Sequence, residues 1–212
     1  MYKKTIGIIA VGLLMGMFLT VSIMQSSCCA RNKTHKKTKI DDYTIIDFPT
    51  PNIESGTNLV QGVVLHHTAT LNVERALGAL CNPERGISCH AVIDRDGTRY
   101  ILASPDKITH HAGYSMLLGK SSCNKFTIGI EFQGNTCLQP LTEAQINSAI
   151  NYLLPILKKY KIPISNIVTH QQVRDNWLKK HPDRKEVPTK VDITPTEYNR
   201  FIKALKARYP LT

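Results

Sequence analysis

The chain reads as an α/β protein, a single domain with a central mixed β-sheet flanked by helices, and three observations carry that reading. Gly62-Val63-Val64-Leu65-His66 and Thr127-Ile128-Gly129-Ile130-Glu131-Phe132 have the length and β-branched content of buried strands. Asp96-Gly97 separates two further runs, Cys89–Ile93 and Thr98–Leu102, which is a strong hairpin signal. Thr142-Glu143-Ala144-Gln145 and Thr194-Pro195-Thr196-Glu197 are capping boxes, each opening an apolar stripe at helical spacing. Strands alternating with helices favour a layered α/β arrangement.

Taken in order, the elements begin with an N-terminal segment of a different kind. Lys3 and Lys4 precede a nearly uninterrupted apolar run, Thr5 to Met24, followed by Ser26-Ser27-Cys28-Cys29. A positive start, an apolar run and small residues describe a secretory signal. The run also approaches the roughly 20 apolar residues that span a bilayer, and the cysteine pair loosely resembles a lipoprotein cleavage site. Residues 1–29 are therefore expected to be a signal peptide, a lipoprotein signal or a membrane anchor. The expected location is outside the cytoplasm: periplasmic or in the cell envelope as a lipoprotein, membrane-anchored or secreted. Residues 30–42 are polar and basic and read as a linker, so the domain is expected over 43–212.

Within the domain, Asn72 to Leu80 suits a short helix. In the strand after Lys125, Ile128, Ile130 and Phe132 alternate with Thr127, Gly129 and Glu131, so a period of two puts Glu131 opposite the apolar set. The helix opened by Thr142 carries Ile146, Ala149, Ile150, Leu153, Leu154 and Leu157, and Pro155 is expected to kink or split it. The last helix has Pro195 at its first position, where a missing N–H costs nothing, and Tyr198, Phe201, Ile202 and Leu205 on its inner face.

Composition narrows the partners. Lys+Arg 27 against Asp+Glu 16 gives a net charge of +11, which favours anionic partners: nucleic acid, a membrane surface or an anionic wall polymer. No nucleic-acid-binding signature, Gly-rich phosphate loop or internal repeat is present, so nucleic acid is not expected as a partner. The basic run from Arg31 to Lys39 reads more simply as a solvated linker. In an oxidising compartment Cys81, Cys89, Cys123 and Cys137 permit three pairings. Cys123 and Cys137 flank the 128–132 strand, which makes them the disulfide candidates, with free buried thiols as the alternative.

Chemistry is carried by separated segments. A histidine after an apolar strand, another far downstream and a late carboxylate can supply three ligands to one Zn²⁺, leaving a fourth position for water. His66 and His67 are consecutive on a strand and leave by opposite faces, so at most one is a ligand. For an isolated pair, a hydrogen-bonded core histidine is the simpler reading.

Val63-Val64-Leu65-His66-His67-Thr68-Ala69-Thr70, Ile87-Ser88-Cys89-His90-Ala91-Val92-Ile93-Asp94-Arg95-Asp96-Gly97, His110-His111-Ala112-Gly113 and Thr127-Ile128-Gly129-Ile130-Glu131 occur in that order. Together with a late His and Lys-x-Asp, this resembles the type-2 N-acetylmuramoyl-L-alanine amidases, relatives of the T7-type lysozyme amidase and the peptidoglycan recognition proteins. The resemblance runs from about Tyr43 to Leu205. It implies a zinc site at the sheet edge with His66, His170 and Asp192 as ligands to one ion, and His67 as a structural neighbour. It implies Glu131 as the catalytic carboxylate, Lys190 as the lysine two residues before the last ligand, and His90 and His111 as residues lining the substrate cleft or supporting it. The implied activity is zinc-dependent hydrolysis of the amide between N-acetylmuramic acid and L-alanine, with peptidoglycan or muropeptides as partner and a monomer as the working unit. The alternative is a non-catalytic peptidoglycan-binding module of the same fold.

Three departures stand out. His170 and Lys190 are farther apart than is usual in the family, so Gln171 to Thr189 contains an insertion, in which Asp175, His181 and Asp183 compete as the third ligand. Asp192 is followed by Ile-Thr instead of Pro-Gly. Cys89 stands where some relatives carry a tyrosine.

Overall fold

The computed structural model describes residues 35–184, 187 and 192–209. Residues 1–34, with the expected leader and the start of the linker, lie outside the described residues, as does Lys190. Among the described residues, no helix is long and apolar enough to cross a membrane.

Among the described residues, seven strands form the central sheet: β1 (Lys37–Ile40), β2 (Tyr43–Asp47), β4 (Gly62–His67), β5 (Ala91–Ile93), β6 (Arg99–Ile101), β10 (Thr127–Phe132) and β11 (Ile167–Thr169). Their order is β1-β2-β6-β5-β10-β4-β11. Two small ribbons lie outside it, β3 (Ile53–Glu54) with β7 (Ile108–Thr109) and β8 (Met116–Leu117) with β9 (Lys120–Ser121). The sheet is mixed: β5–β10, β10–β4 and β4–β11 are parallel, while β5–β6 is the antiparallel hairpin expected around Asp96-Gly97.

The sheet starts earlier than the composition suggests. Lys37–Ile40, read as linker, is an edge strand paired antiparallel with β2. Asp41 (φ 51) and Asp42 (φ 67) both adopt left-handed backbone, the geometry of a two-residue hairpin turn whose twist matches the strands. All four β1 residues are exposed, and lysines on an edge strand discourage further pairing, so a polar composition and a strand coexist there.

Among the described residues, four α-helices cover the sheet: α1 (Val73–Leu80), α2 (Glu143–Tyr160), α3 (His170–Lys180) and α4 (Pro195–Arg208). Both arms of the Thr142 capping box are formed, and α2 runs through Pro155 without being split. Losing one backbone bond there is offset by a stripe of buried side chains, among them Ile150, Leu153 and Leu157. In α4 only half of the expected box forms. Thr194 Oγ1 caps the Glu197 N–H, but the Glu197 carboxylate turns away to accept from the Leu141 N–H (2.9 Å) and Arg200 (2.6 Å), tying α4 to the start of α2.

The main core lies between one sheet face and α2 and α4, where Val63, Leu65, Ile128, Ile130 and Phe132 meet Ile146, Ile150, Leu153, Phe201 and Leu205. On the other face, Val64 and Val168 pack with Ala112, Leu117, Phe126 and Val173, and Val92 packs with α1. The candidate site grows from this second face.

Candidate metal centre

β10, β4 and β11 run parallel, so their C-terminal ends fall on one side of the sheet, where α/β proteins gather their ligands. His66 is the penultimate residue of β4, Glu131 is its register partner on β10, and His170 follows the last residue of β11. Paired residues of parallel strands project to the same face. Alternation therefore carries His66 and Glu131 to the face opposite Leu65 and Ile130.

His66, His170 and Asp192 converge, each offering one ligand atom, with these atoms within 4.8 Å of one another. His66 Nδ1 is 3.8 Å from Asp192 Oδ1, and His170 Nδ1 is 2.9 Å from Asp192 Oδ2. Asp192 is completely buried just before α4. It arrives from far along the chain and is held by the His67 backbone N–H, which donates to Oδ1 (3.3 Å). The histidine doublet thus divides its work between the His66 ring and the His67 main chain.

The donor set fits zinc, which accepts imidazole nitrogen and carboxylate oxygen and in catalytic sites takes three protein ligands. His170 Nε2 donates to the Ala112 carbonyl (3.1 Å), leaving its Nδ1 as a lone pair. That lone pair and Asp192 Oδ2 stand 2.9 Å apart without the geometry of a hydrogen bond. Together with the His66 ring, this buried pair is a donor set that fits a shared cation.

The competing ligands of the insertion are elsewhere. Asp175 pairs with Arg174 (2.6 Å), and His181 stacks on Trp177 (centroids 3.9 Å) while its Nδ1 meets the Trp177 carbonyl. Asp183 is not part of the metal cluster among the described residues.

Glu131 borders a cleft of about 620 Å³ together with His67, Thr68, Arg75, Arg85 and Ile87. His67 itself sits on the core face of β4, where its Nδ1 accepts from the Thr136 N–H (3.2 Å). The two arginines make the cleft wall electropositive.

His90 and His111, expected to line or support the cleft, are both buried and hydrogen-bonded. His90 is completely buried, its Nδ1 accepting from the Gly129 N–H (3.0 Å) and its Nε2 donating to the Lys107 carbonyl (3.0 Å). Burial pushes its pKa down to about 4, so it is neutral and clamps β10 to the 107–109 segment that includes β7. His111 lies behind His66, with its Nδ1 3.1 Å from His66 Nε2 and its Nε2 3.3 Å from Thr127 Oγ1.

Sequence reasoning passed over Thr127 and Thr169. The first touches His111 through its hydroxyl; the second forms, with Gln172, a capping box that starts α3 at His170. The Thr169-x-x-Gln172 spacing was a signal for that helix.

The disulfide expectation is corrected. Cys123 and Cys137 are both free. They flank the six-residue β10 at opposite ends, and a strand of that length spans roughly 20 Å, far beyond the ~7 Å that a bridge tolerates between Cα atoms. Burial raises the Cys123 thiol pKa to about 11, whereas Cys137 is exposed.

Residues 56–190 match the N-acetylmuramoyl-L-alanine amidase family. The chain is 33% identical over 102 residues to the 1,6-anhydro-N-acetylmuramyl-L-alanine amidase AmpD of Enterobacter cloacae, covering 48% of this chain and 50% of that protein. It therefore spans about half the length of the curated relatives it matches. Among solved structures, an AmpD crystal structure superposes with TM-score 0.54 at 21% identity, covering 75% of this chain and 92% of that one. AmiD from E. coli, solved with anhydro-N-acetylmuramic acid-L-Ala-D-gamma-Glu-L-Lys, superposes with TM-score 0.52 at 21% identity, covering 71% and 59%. These two likenesses concern the fold.

The relatives also correct the expected location. An exported, envelope-associated protein was read from the N-terminal apolar run, but the AmpD proteins that this chain matches are cytoplasmic enzymes of peptidoglycan recycling. Over most of its described length, through the doublet strand, the hairpin, the His111 loop and the Glu131 strand, the chain belongs to the N-acetylmuramoyl-L-alanine amidase family.

Proposed function

We propose that this chain is a zinc-dependent amidase that hydrolyses the bond between N-acetylmuramic acid and L-alanine in muropeptides, with 1,6-anhydro fragments as the substrate class. The observation that carries the reading is the meeting of His66, His170 and Asp192 beside Glu131 at the ends of three parallel strands. The AmpD relatives act on 1,6-anhydro-N-acetylmuramyl-L-alanine, which supports the substrate class.

Amide hydrolysis needs an activated water, a stabilised oxyanion and a proton for the departing amine. Zinc held by His66, His170 and Asp192 would supply Lewis acidity, lowering the pKa of water from 15.7 to about 7 and polarising the scissile carbonyl. Glu131, at the cleft wall, takes the proton of the attacking water and returns it to the L-alanine nitrogen as the C–N bond breaks. Lys190, two residues before Asp192 in sequence, is assigned to hold charge on the carbonyl oxygen. Arg75 and Arg85 suit the carboxylates of a stem peptide, since guanidinium forks pair with carboxylates bidentately. A module that only binds peptidoglycan has no need of this ligand set with a carboxylate in register beside it.

The test is mass spectrometry of purified 1,6-anhydro-muropeptide, and of sacculi, after incubation with the zinc-loaded chain. Stem peptides with a free L-alanine amine, abolished by a chelator and restored by zinc, are expected. No release from either substrate would sink the reading, and release from sacculi alone would move the substrate class.

A further inference from the structure

The face of the sheet that carries His66 also carries a chain of polar contacts that runs away from the candidate metal position. It can be read atom by atom. Thr127 Oγ1 donates to the Cys123 carbonyl (2.7 Å), which can only accept, so the hydroxyl hydrogen is committed. Toward His111 Nε2, 3.3 Å away, Thr127 Oγ1 must then accept, which places the neutral His111 proton on Nε2. His111 Nδ1 is left as an acceptor, 3.1 Å from His66 Nε2, and His66 must donate to it. With its proton on Nε2, His66 presents the Nδ1 lone pair, the atom that lies 3.8 Å from Asp192 Oδ1.

The His111 ring is also placed sterically. It lies against Gly129, where a Cβ would meet the ring Cγ at 2.4 Å and Nδ1 at 2.7 Å. Real Cβ atoms do not come that close to a ring, so the bare Cα of Gly129 is the floor on which the ring rests. Gly129 thereby serves His111 with its Cα and His90 with its N–H. A main-chain anchor also comes from Asn124, whose side-chain oxygen accepts from the His111 and Ala112 N–H groups (3.1 and 2.8 Å). Ala112 in turn offers its carbonyl to His170 Nε2, so one short loop orients both histidines of the metal site.

We propose that His111 is a positioning residue, seated on Gly129 and oriented by Thr127, that sets the His66 tautomer and aims its Nδ1 into the His66–His170–Asp192 site. The proposal rests on the zinc reading of that site and deepens it. It takes His111 out of the substrate-contacting set and gives Thr127 and Gly129 a part in metal binding. Partners of this kind characteristically cost 10–100-fold in metal affinity when lost.

The experiment uses the full chain and no substrate. Zinc affinity is measured by chelator competition, and the ring nitrogens of His66 are followed by ¹⁵N NMR in zinc-free and zinc-loaded protein. His111→Phe keeps a ring over Gly129 but removes the acceptor, and about a 10–100-fold weaker zinc affinity is expected. His111→Asn, whose amide oxygen falls near the place of Nδ1, should recover part of it. Thr127→Val should lose less than His111→Phe, and Thr127→Ser should behave as wild type. In the wild-type chain, the zinc-free His66 spectrum should show the proton on Nε2, a signature that a merely structural His111 would not impose.

Wild-type zinc affinity in His111→Phe, or a His66 proton on Nδ1, would overturn the proposal. If the variants fail to fold, the wild-type tautomer decides alone. A chain with the stated tautomer and tight zinc that leaves muropeptides intact would defeat the amidase reading and leave this one standing.

Discussion

The two faces of the β4–β10 pair make an instructive contrast. One carries Val63, Leu65, Ile128, Ile130 and Phe132; the other carries Val64, His66, Thr127, Gly129 and Glu131. The strands, register and backbone hydrogen bonds are the same, and burial hardly differs: Leu65, Ile130, His66 and Thr127 are all at 0% exposure, with Glu131 at 8%. Burial alone therefore does not distinguish a core face from a site face. On the first, side chains are interchangeable within volume limits, because apolar contact is non-directional. On the second, His66 Nε2 and Thr127 Oγ1 are tied to named partners, because an unpaired buried polar group costs about 1–3 kcal/mol. A face wired in this way is specified atom by atom, and that rigidity is what a metal site requires.

The strongest way to break the contrast is to remove a ligand. Asp192→Ala is expected to lose bound zinc and activity together, read by metal analysis of the purified protein and muropeptide turnover; retained zinc would show that the third ligand lies elsewhere. Glu131→Ala should keep its zinc while kcat falls about 10²–10⁴-fold, the usual contribution of a general base. Unchanged turnover would remove Glu131 from its role.

On the opposite face the effect should be on stability only. Leu65→Ala is expected to cost about 2–5 kcal/mol in urea unfolding, with zinc affinity per folded molecule preserved. A comparable loss of zinc affinity would show that the faces are not separable.

A gentler probe is pH. His90 is neutral in the fold, with a pKa near 4 against 6.5 for the free side chain, because burial disfavours the cation. The unfolded chain takes up that proton first as the pH falls. Stability from this group is thus complete above pH 6.5 and declines toward pH 4 by about 3 kcal/mol. Unfolding free energies of wild type and His90→Asn across this range isolate the term, and parallel curves would remove it. The smallest effect is chemical. Of Cys81, Cys89, Cys123 and Cys137, only Cys137 is exposed, so it alone should react with a thiol reagent in the native state, read as a single mass addition to the domain.

Much of the architecture was legible because it is local. Period-two alternation at Thr127–Phe132, the Asp96-Gly97 turn and the Thr142 capping box each need only a few neighbouring residues, and each is found where expected. Chain order and motif spacing established the family as well, and with it His66, His170 and Asp192 as a candidate set. Local composition misled where a distant partner decides the outcome. Lys37–Ile40 looks like linker until β2 pairs with it, and α2 survives Pro155 because α4 and the sheet bury the rest of its stripe.

The cysteines and histidines mark the same boundary. Cys123 and Cys137 are neighbours in sequence only across a strand that holds them apart. His66, His90 and His111 are alike as letters, yet one faces Asp192, one clamps β10 through the Gly129 N–H, and one supports the first from behind. Sequence established which residues could do the chemistry, since side-chain type and period are properties of the chain itself. Which ring nitrogen faces the site depends on contacts such as His66 with His111, Thr127 with His111 and His67 with Asp192, which folding alone brings within hydrogen-bond reach.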